Sequence, residues 1–239
     1  MIQLFNGDCL EVMKTIEDKS IDAIITDPPY GTTACKWDSV IDFDLMWEQL
    51  NRIIKPNGAI VLFGSEPFSS ALRMSNIKNY KYDWIWEKSR PSNFANAKRQ
   101  PMKYHEIISV FNSKIYYPIM VKGNKVRKKG TNKGASIYGG VSGLGNPEYL
   151  KKEYVDFYPK SIQKFVNSNY KSLHPTQKPI ALMEYLIKTY TNENETVLDF
   201  TMGSGSTGVA AKNTNRNFIG IEQDEKYFNI AKNRIMSQI

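Results

Sequence analysis

Six short apolar runs punctuate the chain, at residues 2–5, 21–26, 59–63, 107–111, 196–198 and 218–221. Each is nearly continuous instead of alternating apolar with polar positions. That is the pattern of strands buried on both faces, as in a parallel sheet covered by helices. Between the runs the period becomes helical. Phe43, Met46, Trp47, Leu50 and Ile54 fall at i, i+3, i+4, i+7 and i+11. Met183, Leu186, Ile187 and Tyr190 repeat the stripe, with Pro179 suited to a first helical turn. Tyr227, Ile230, Ala231 and Ile235 form another, opened by Asp224. Strands alternating with helices predict an α/β, doubly wound sheet.

From residue 112 to 171 this rhythm stops. The stretch is polar, tyrosine-rich and glycine-bearing, and between 122 and 133 it carries Lys122, Lys125, Arg127, Lys128, Lys129 and Lys133 without an acid. Such a stretch is either a solvated loop or an inserted segment that meets nucleic-acid phosphates. The expected organisation is one domain over 1–239 with an irregular insertion at 112–171.

Composition narrows the classes. A chain of 239 residues with 41% hydrophobic and 12% aromatic residues can bury a core. Lys and Arg number 32 against 24 Asp and Glu, a net charge of +8 that suits a polyanionic partner. Two cysteines, Cys9 and Cys35, and two histidines, His105 and His174, make neither a disulfide framework nor a structural metal site. No apolar run approaches the roughly 20 residues that span a bilayer. Residues 1–8 carry no basic flank and no signal-peptide core, so no membrane association and a cytoplasmic location are expected.

Four motifs carry chemistry. Asp27-Pro28-Pro29-Tyr30 follows the run 21–26 directly. Two prolines end a strand and stiffen the turn after it. An exocyclic amino group on a nucleobase is a poor nucleophile because its lone pair is delocalised into the ring. A carboxylate (Asp27) and a backbone carbonyl (Pro28) accepting its hydrogens pull the nitrogen toward tetrahedral geometry, and Tyr30 can stack on the base. The second motif, from Asp199, Phe200 and Thr201 through Gly203, Ser204, Gly205, Ser206, Thr207 and Gly208, contains a literal G-x-G-x-x-G opening a small-residue helix. Glu222, with Gln223 after it, ends the next run about 20 residues on, where a ribose-binding acid belongs. No Lys follows the last Gly, so this is not a Walker loop. Asp199 disfavours a pyrophosphate and suits a cationic cofactor such as a sulfonium. The third motif, His174-Pro175-Thr176-Gln177-Lys178-Pro179, opens a helix and can take an anion or carboxylate through His174, Thr176 and Lys178. The fourth is Gly7-Asp8. There Asp8 reads first as a helix cap and, alongside the other motifs, as a contact to a cofactor adenine.

In their order these motifs resemble the β-class of S-adenosylmethionine-dependent DNA amino-methyltransferases. In that class the Asp-Pro-Pro-Tyr motif comes early and the glycine-rich cofactor motif late. The stretch from Tyr30 to Asp38 is also similar to a phage or prophage subgroup of adenine methylases. The resemblance covers nearly the whole chain. It implies a circularly permuted class I methyltransferase fold, a mostly parallel seven-stranded sheet in which the cofactor strand lies beside the catalytic strand. It implies S-adenosylmethionine as cofactor, with the Gly203 loop and Glu222 on the ribose side, Asp8 toward the adenine, and residues 174–178 at the methionine carboxylate. It implies double-stranded DNA as substrate, a flipped target base, and a homodimer and a cognate restriction endonuclease as candidate partners. Asp27 in the first motif position favours adenine N6 over cytosine N4. Lys36 and Trp37, with the six cations of 122–133, are the expected DNA contacts. One departure stands out: the usual Phe of the cofactor motif falls at Thr201, leaving Phe200 to replace it or not. An RNA or protein amino-methyltransferase shares the core. A nicotinamide oxidoreductase would leave Asp27 to Tyr30 unexplained, and a non-catalytic DNA-binding module would not need them.

Overall fold

The computed structural model describes residues 1–32, 38–128, 153–167 and 177–237. Lys36, Trp37, Lys129, Lys133, His174 and Thr176 lie outside the described residues. Two compact units are present: residues 1–117 with 161–239, and residues 118–160.

The larger unit is built on an eight-stranded sheet, one strand more than expected. Its strands are β1 (Ile2–Asn6), β2 (Ile21–Thr26), β3 (Ile54–Gly64), β4 (Tyr80–Ser92), β5 (Lys103–Phe111), β8 (Ile162–Phe165), β9 (Thr196–Asp199) and β10 (Asn217–Glu222). Their spatial order is β1-β10-β9-β2-β3-β5-β4-β8. Neighbours from β1 through β3 are parallel, β5 runs antiparallel to both β3 and β4, and β8 is parallel to β4. The extra strand is β8. It lies inside the stretch expected to be irregular, and its backbone pairs the edge of β4.

Both faces are covered. α1 (Cys9–Met13), α2 (Phe43–Ile53) and α3 (Phe68–Ser75) share one apolar core, while α4 (Ile180–Tyr190), α5 (Ser206–Asn213) and α6 (Glu225–Met236) share the other. The central strands feed the two cores alternately. Ala59, Val61 and Phe63 of β3 face the α4 side, and Ile60 and Leu62 face the α2 side. That double burial is why these runs read as continuously apolar. β9 and β2 are adjacent; from them the chain proceeds to β10 on one side and β3 on the other. Strand order therefore reverses between them, and a crevice opens at their carboxyl ends.

The smaller unit holds β6 (Val121–Lys128) and β7 (Glu153–Phe157), paired antiparallel, with Lys122 opposite Asp156 and Lys128 opposite Glu153. Phe157 lies so close over Gly123 that a Cβ there would fall 2.1 Å from its ring. The 112–171 stretch is thus partly regular, because 121–128 and 153–157 pair as a ladder that continuous apolarity does not reveal.

Candidate active site

The crevice is an open cavity of about 260 Å³, lined from both motifs: Asp27 to Tyr30 after β2, and Asp199 to Ser204 after β9. Hydrogen bonds clamp the two strand ends together. Thr26 Oγ1 donates to Asp199 Oδ1 at 3.0 Å, and the Phe200 amide donates to Thr26 Oγ1 at 3.1 Å. Thr201 Oγ1 donates to the Asp27 carbonyl at 3.0 Å. Thr201, at the place of the usual Phe, therefore couples the glycine-rich loop to the Asp27–Tyr30 loop. Phe200 is fully buried against the α2-side core.

The catalytic loop is held by a residue the sequence motifs do not single out. Asp38, 8% exposed, accepts the amides of Tyr30 (2.8 Å) and Gly31 (2.9 Å) through Oδ1 and that of Thr32 (2.9 Å) through Oδ2. The Pro28 and Pro29 nitrogens have no hydrogen to donate, so the next three amides need an acceptor from elsewhere in the chain. Tyr30 packs its ring 5.0 Å from that of Phe68 and donates its hydroxyl to Asp27 Oδ1.

Lys178 occupies a different place from the one expected. Its ammonium is bonded to Asp27 Oδ2, lies 3.4 Å from Glu106 Oε2, and sits over the Phe63 ring at 5.1 Å. Glu106 is in turn paired with Lys88. The result is a buried row of alternating charges, Asp27, Lys178, Glu106 and Lys88, at the catalytic half of the cavity. Two carboxylates, Asp27 and Glu106, thus hold the Lys178 ammonium. Burial disfavours the Lys178 ammonium, but Asp27 and Glu106 outweigh it and raise its pKa. Burial likewise opposes the Glu106 carboxylate, yet Lys178 and Lys88 together lower its pKa. Among the described residues, Asp27 has the shared cation alone. Burial raises its pKa, the Lys178 charge pulls it down, and the nearby Glu106 pushes it up again.

On the cofactor side, Gly203 (φ 51°) and Gly205 (φ 79°) take left-handed conformations that a side chain would strain. A Cβ at Gly205 would also meet the Ala231 Cβ at 2.9 Å, so the turn lies directly on α6. Glu222 accepts the Gly203 amide (2.9 Å) and the Asp224 amide (2.8 Å), which leaves lone pairs for a further donor. Gln223 lines the same wall. Asp8 caps α1, accepting the Leu10 amide at 2.8 Å and the Glu11 amide at 3.2 Å, and borders the cavity too. Asp199 is 4% exposed, and burial pushes its carboxyl up to about 7, against the bonds from Thr207, Thr201 and Thr26. Arg234 donates to Ser204 Oγ at 3.0 Å, and Ser204 Oγ donates to Gln177 at 3.3 Å. The buried Ser206 Oγ on the cavity wall finds no protein partner, an orphan that a bound polar group would satisfy.

The structure therefore brings together Asp8, Asp27 to Tyr30, Lys178, Asp199 to Thr201, Gly203, Ser204, Ser206, Thr207, Glu222 and Gln223 on one cavity. It adds Asp38, which pairs with amides 6–8 residues before it, and Glu106, Lys88 and Arg234, whose partners are further off in sequence. Cys9 is buried with its thiol pushed up to about 12, chiefly by burial, so it presents no thiolate for nucleophilic attack.

Residues 21–233 match the sequence family of DNA methylases of the N6/N4 type. The chain belongs to the N6/N4 DNA methylase family. Similar proteins include the type II methyltransferase M.HpaI of Haemophilus parainfluenzae, 30% identical over 251 residues, covering 99% of this chain and 74% of the relative. M.HinfI of Haemophilus influenzae is 28% identical over 266 residues, covering 97% of this chain and 67% of the relative. Among solved structures, the M1.HpyAVI–SAM complex superposes with a TM-score of 0.66 at 30% identity, covering 99% of this chain and all of the other. The cytosine-N4-specific PvuII DNA methyltransferase, at 17% identity, covers 99% of this chain and 87% of the other with a TM-score of 0.68, a likeness of fold alone. The methylase has no helix among its described residues long and apolar enough to cross a membrane.

Proposed function

We propose that this methylase transfers a methyl group from S-adenosylmethionine to the exocyclic N6 of an adenine flipped out of duplex DNA. The observation that carries the reading is the shared cavity. The amino-activating loop and the glycine-rich loop face one another at the strand-order reversal, tied by the Thr201–Asp27 hydrogen bond. The cavity fits the cofactor on its own chemistry. Glu222 offers acceptors for ribose hydroxyls, the orphaned Ser206 hydroxyl awaits a polar group, and Asp199 is a carboxyl whose ionised form a nearby cation would favour. When bound, the cofactor supplies an electrophilic methyl group on a sulfonium.

The residues of this chain do the rest. Asp27 and the Pro28 carbonyl accept the hydrogens of the target amine and free its lone pair for in-line attack. The Lys178 charge pulls the Asp27 pKa down against burial and so favours the ionised form that can accept. After transfer the amine carries an extra proton, and Asp27, whose pKa burial raises, is positioned to take it. Tyr30, braced by Phe68, offers a ring face to the base. Adenine is preferred to cytosine on the Asp at the first motif position. N4-cytosine is the alternative product of the same chemistry. The paired β6–β7 segment is the proposed backbone-contacting element, with Lys122 exposed on it and Lys125, Arg127 and Lys128 on the same strand. Self-association and a companion endonuclease are the partners this reading brings with it, since the named relatives are type II enzymes.

The test is direct. DNA from an expressing host, digested to nucleosides and analysed by mass spectrometry, should contain N6-methyladenine that is absent when Asp27→Ala is expressed. N4-methylcytosine instead would move the specificity to the alternative. Neither base, from a protein that binds the cofactor, would sink the assignment.

A further inference from the structure

One exposed feature near the site has no role in the chemistry above. β4 and β5 form an antiparallel pair whose last register is Ser92 opposite Lys103, and every residue of the connection, 93–102, is exposed. Between Lys88 and His105 there is no acid, while Arg90, Lys98, Arg99 and Lys103 supply cations. Near its start, Phe94 is 78% exposed, in a single 3₁₀ turn entered through Asn93 at φ 65°. Met102 and Tyr104 are exposed at its base. The connection is anchored below by the Lys88–Glu106 pair and by Lys103 bonded to the Ser65 hydroxyl.

Its position follows from the topology. β5 runs antiparallel to β3, so its first residues lie at the carboxyl edge of the sheet, where Gly64 pairs with Ile107. Glu106 there reaches Lys178, the partner of Asp27. Three residues back, at about 3.4 Å each, the chain reaches Lys103, roughly 10 Å from the catalytic charge row. The connection therefore leaves the same edge as the catalytic loop. An acid-free element carrying an exposed aromatic ring matches a polyanion that also offers an apolar stack.

We propose that residues 93–102 are a DNA-contact element distinct from the β6–β7 segment. Lys98 and Arg99 lie on phosphates, and Phe94 enters the base stack as the wedge that favours rotation of the target base into the Asp27 cavity. Apolar wedges on basic elements unstack duplex steps in this way, and the opposing cost is lowest where a base is already mismatched. The proposal rests on the DNA methyltransferase reading.

The test uses the full chain and two variants, Phe94→Ala and the double variant Lys98→Ala/Arg99→Ala, with Phe94→Trp as the conservative rescue. All three positions are exposed, and cofactor binding monitors the fold. Duplex affinity is measured across a salt series, and methylation is measured on the site read from modified host DNA, once matched and once with the target base mismatched. The double variant should flatten the slope of log affinity against log salt by about 1.8, which is two contacts at ~0.9 each. Phe94→Ala should keep the parent slope, lose about tenfold or more of its rate on matched DNA, and recover most of it on mismatched DNA; Phe94→Trp should restore the rate. Parent slopes together with a parent matched-to-mismatched ratio would overturn the proposal and leave the methyltransferase reading standing. An element made for another partner, such as an anionic lipid surface, would give that result. A parent chain that neither binds duplex nor methylates it would bring down both.

Discussion

Replacing Lys178 with Met removes the one cation that Asp27 shares with Glu106. The two side chains are 8% and 18% exposed, so solvent cannot replace the lost charge. Breaking a buried pair from one side costs about 3–5 kcal/mol. An unfolding entropy of roughly 2.1 cal/mol/K per residue near 60 °C gives about 0.5 kcal/mol/K for the whole chain. The melting temperature should therefore fall by about 6–10 °C where Asp27 is forced to ionise. The pH dependence has a definite sign. Without the ammonium the Asp27 pKa rises further, so in the variant the protonated carboxyl, which cannot accept the target amine, persists to higher pH. Methyl transfer should fall at a given pH and recover as pH rises, with its acidic limb displaced toward alkali. Stability should move the other way. A carboxyl whose folded pKa is raised stabilises at low pH and loses that contribution as pH rises through the folded value, so the melting deficit should grow with pH. Glu106 keeps Lys88 in the variant, and Lys178→Arg, which retains the charge, should return much of both properties. Methylation rates and thermal melts between pH 6 and 9 suffice. An acidic limb at the parent position in a folded Lys178→Met protein would refute the positioning argument, because a purely structural lysine would not move it.

Asp27→Ala should bind duplex and cofactor yet lose on the order of 10²–10⁴-fold in methyl transfer, the usual contribution of a positioned proton acceptor; single-turnover rates at saturating cofactor measure this. Glu222→Ala should weaken cofactor binding by about 1–3 kcal/mol by calorimetry, and Glu222→Gln, which can still accept the Gly203 amide, should lose less. Asp199, with a carboxyl near 7 against an ordinary 3.8, binds a proton in the folded state that the unfolded state releases. That contribution is complete below about pH 4 and lost by about pH 7, up to about 4 kcal/mol at 1.36 kcal/mol per pK unit. Asp199→Asn should therefore gain on the parent as pH rises from 5 to 8 in denaturant titrations, and a constant difference would exclude the buried titration.

Hydrophobic pattern alone located the strands that sit between two helical layers, because burial on both faces leaves no room for polar positions. β2, β3, β9 and β10 were legible for that reason. So were the chemical motifs, since Asp27 to Tyr30 and the Gly203 loop are each contiguous and each lies at a strand end. β4 and β8 were not legible. In β4, Trp84 and Trp86 are buried while Asp83, Ile85 and Glu87, less buried, alternate with them, and β8 is a four-residue strand paired, among the described residues, with β4 alone. Regions outside the central strands hide their structure in the same way, and the β6–β7 ladder within 112–171 is one of them. The adjacency of β2 and β9 depends on pairing across more than 170 residues, which no local pattern encodes. The same holds for Lys178, whose sequence neighbourhood suggested a carboxylate ligand. Its partners, Asp27 and Glu106, lie 151 and 72 residues away, and only the closed sheet brings their charges within reach of its ammonium. Local sequence specifies backbone and side-chain type; which charges neutralise each other in a buried space is decided by the packing that excludes water from around them.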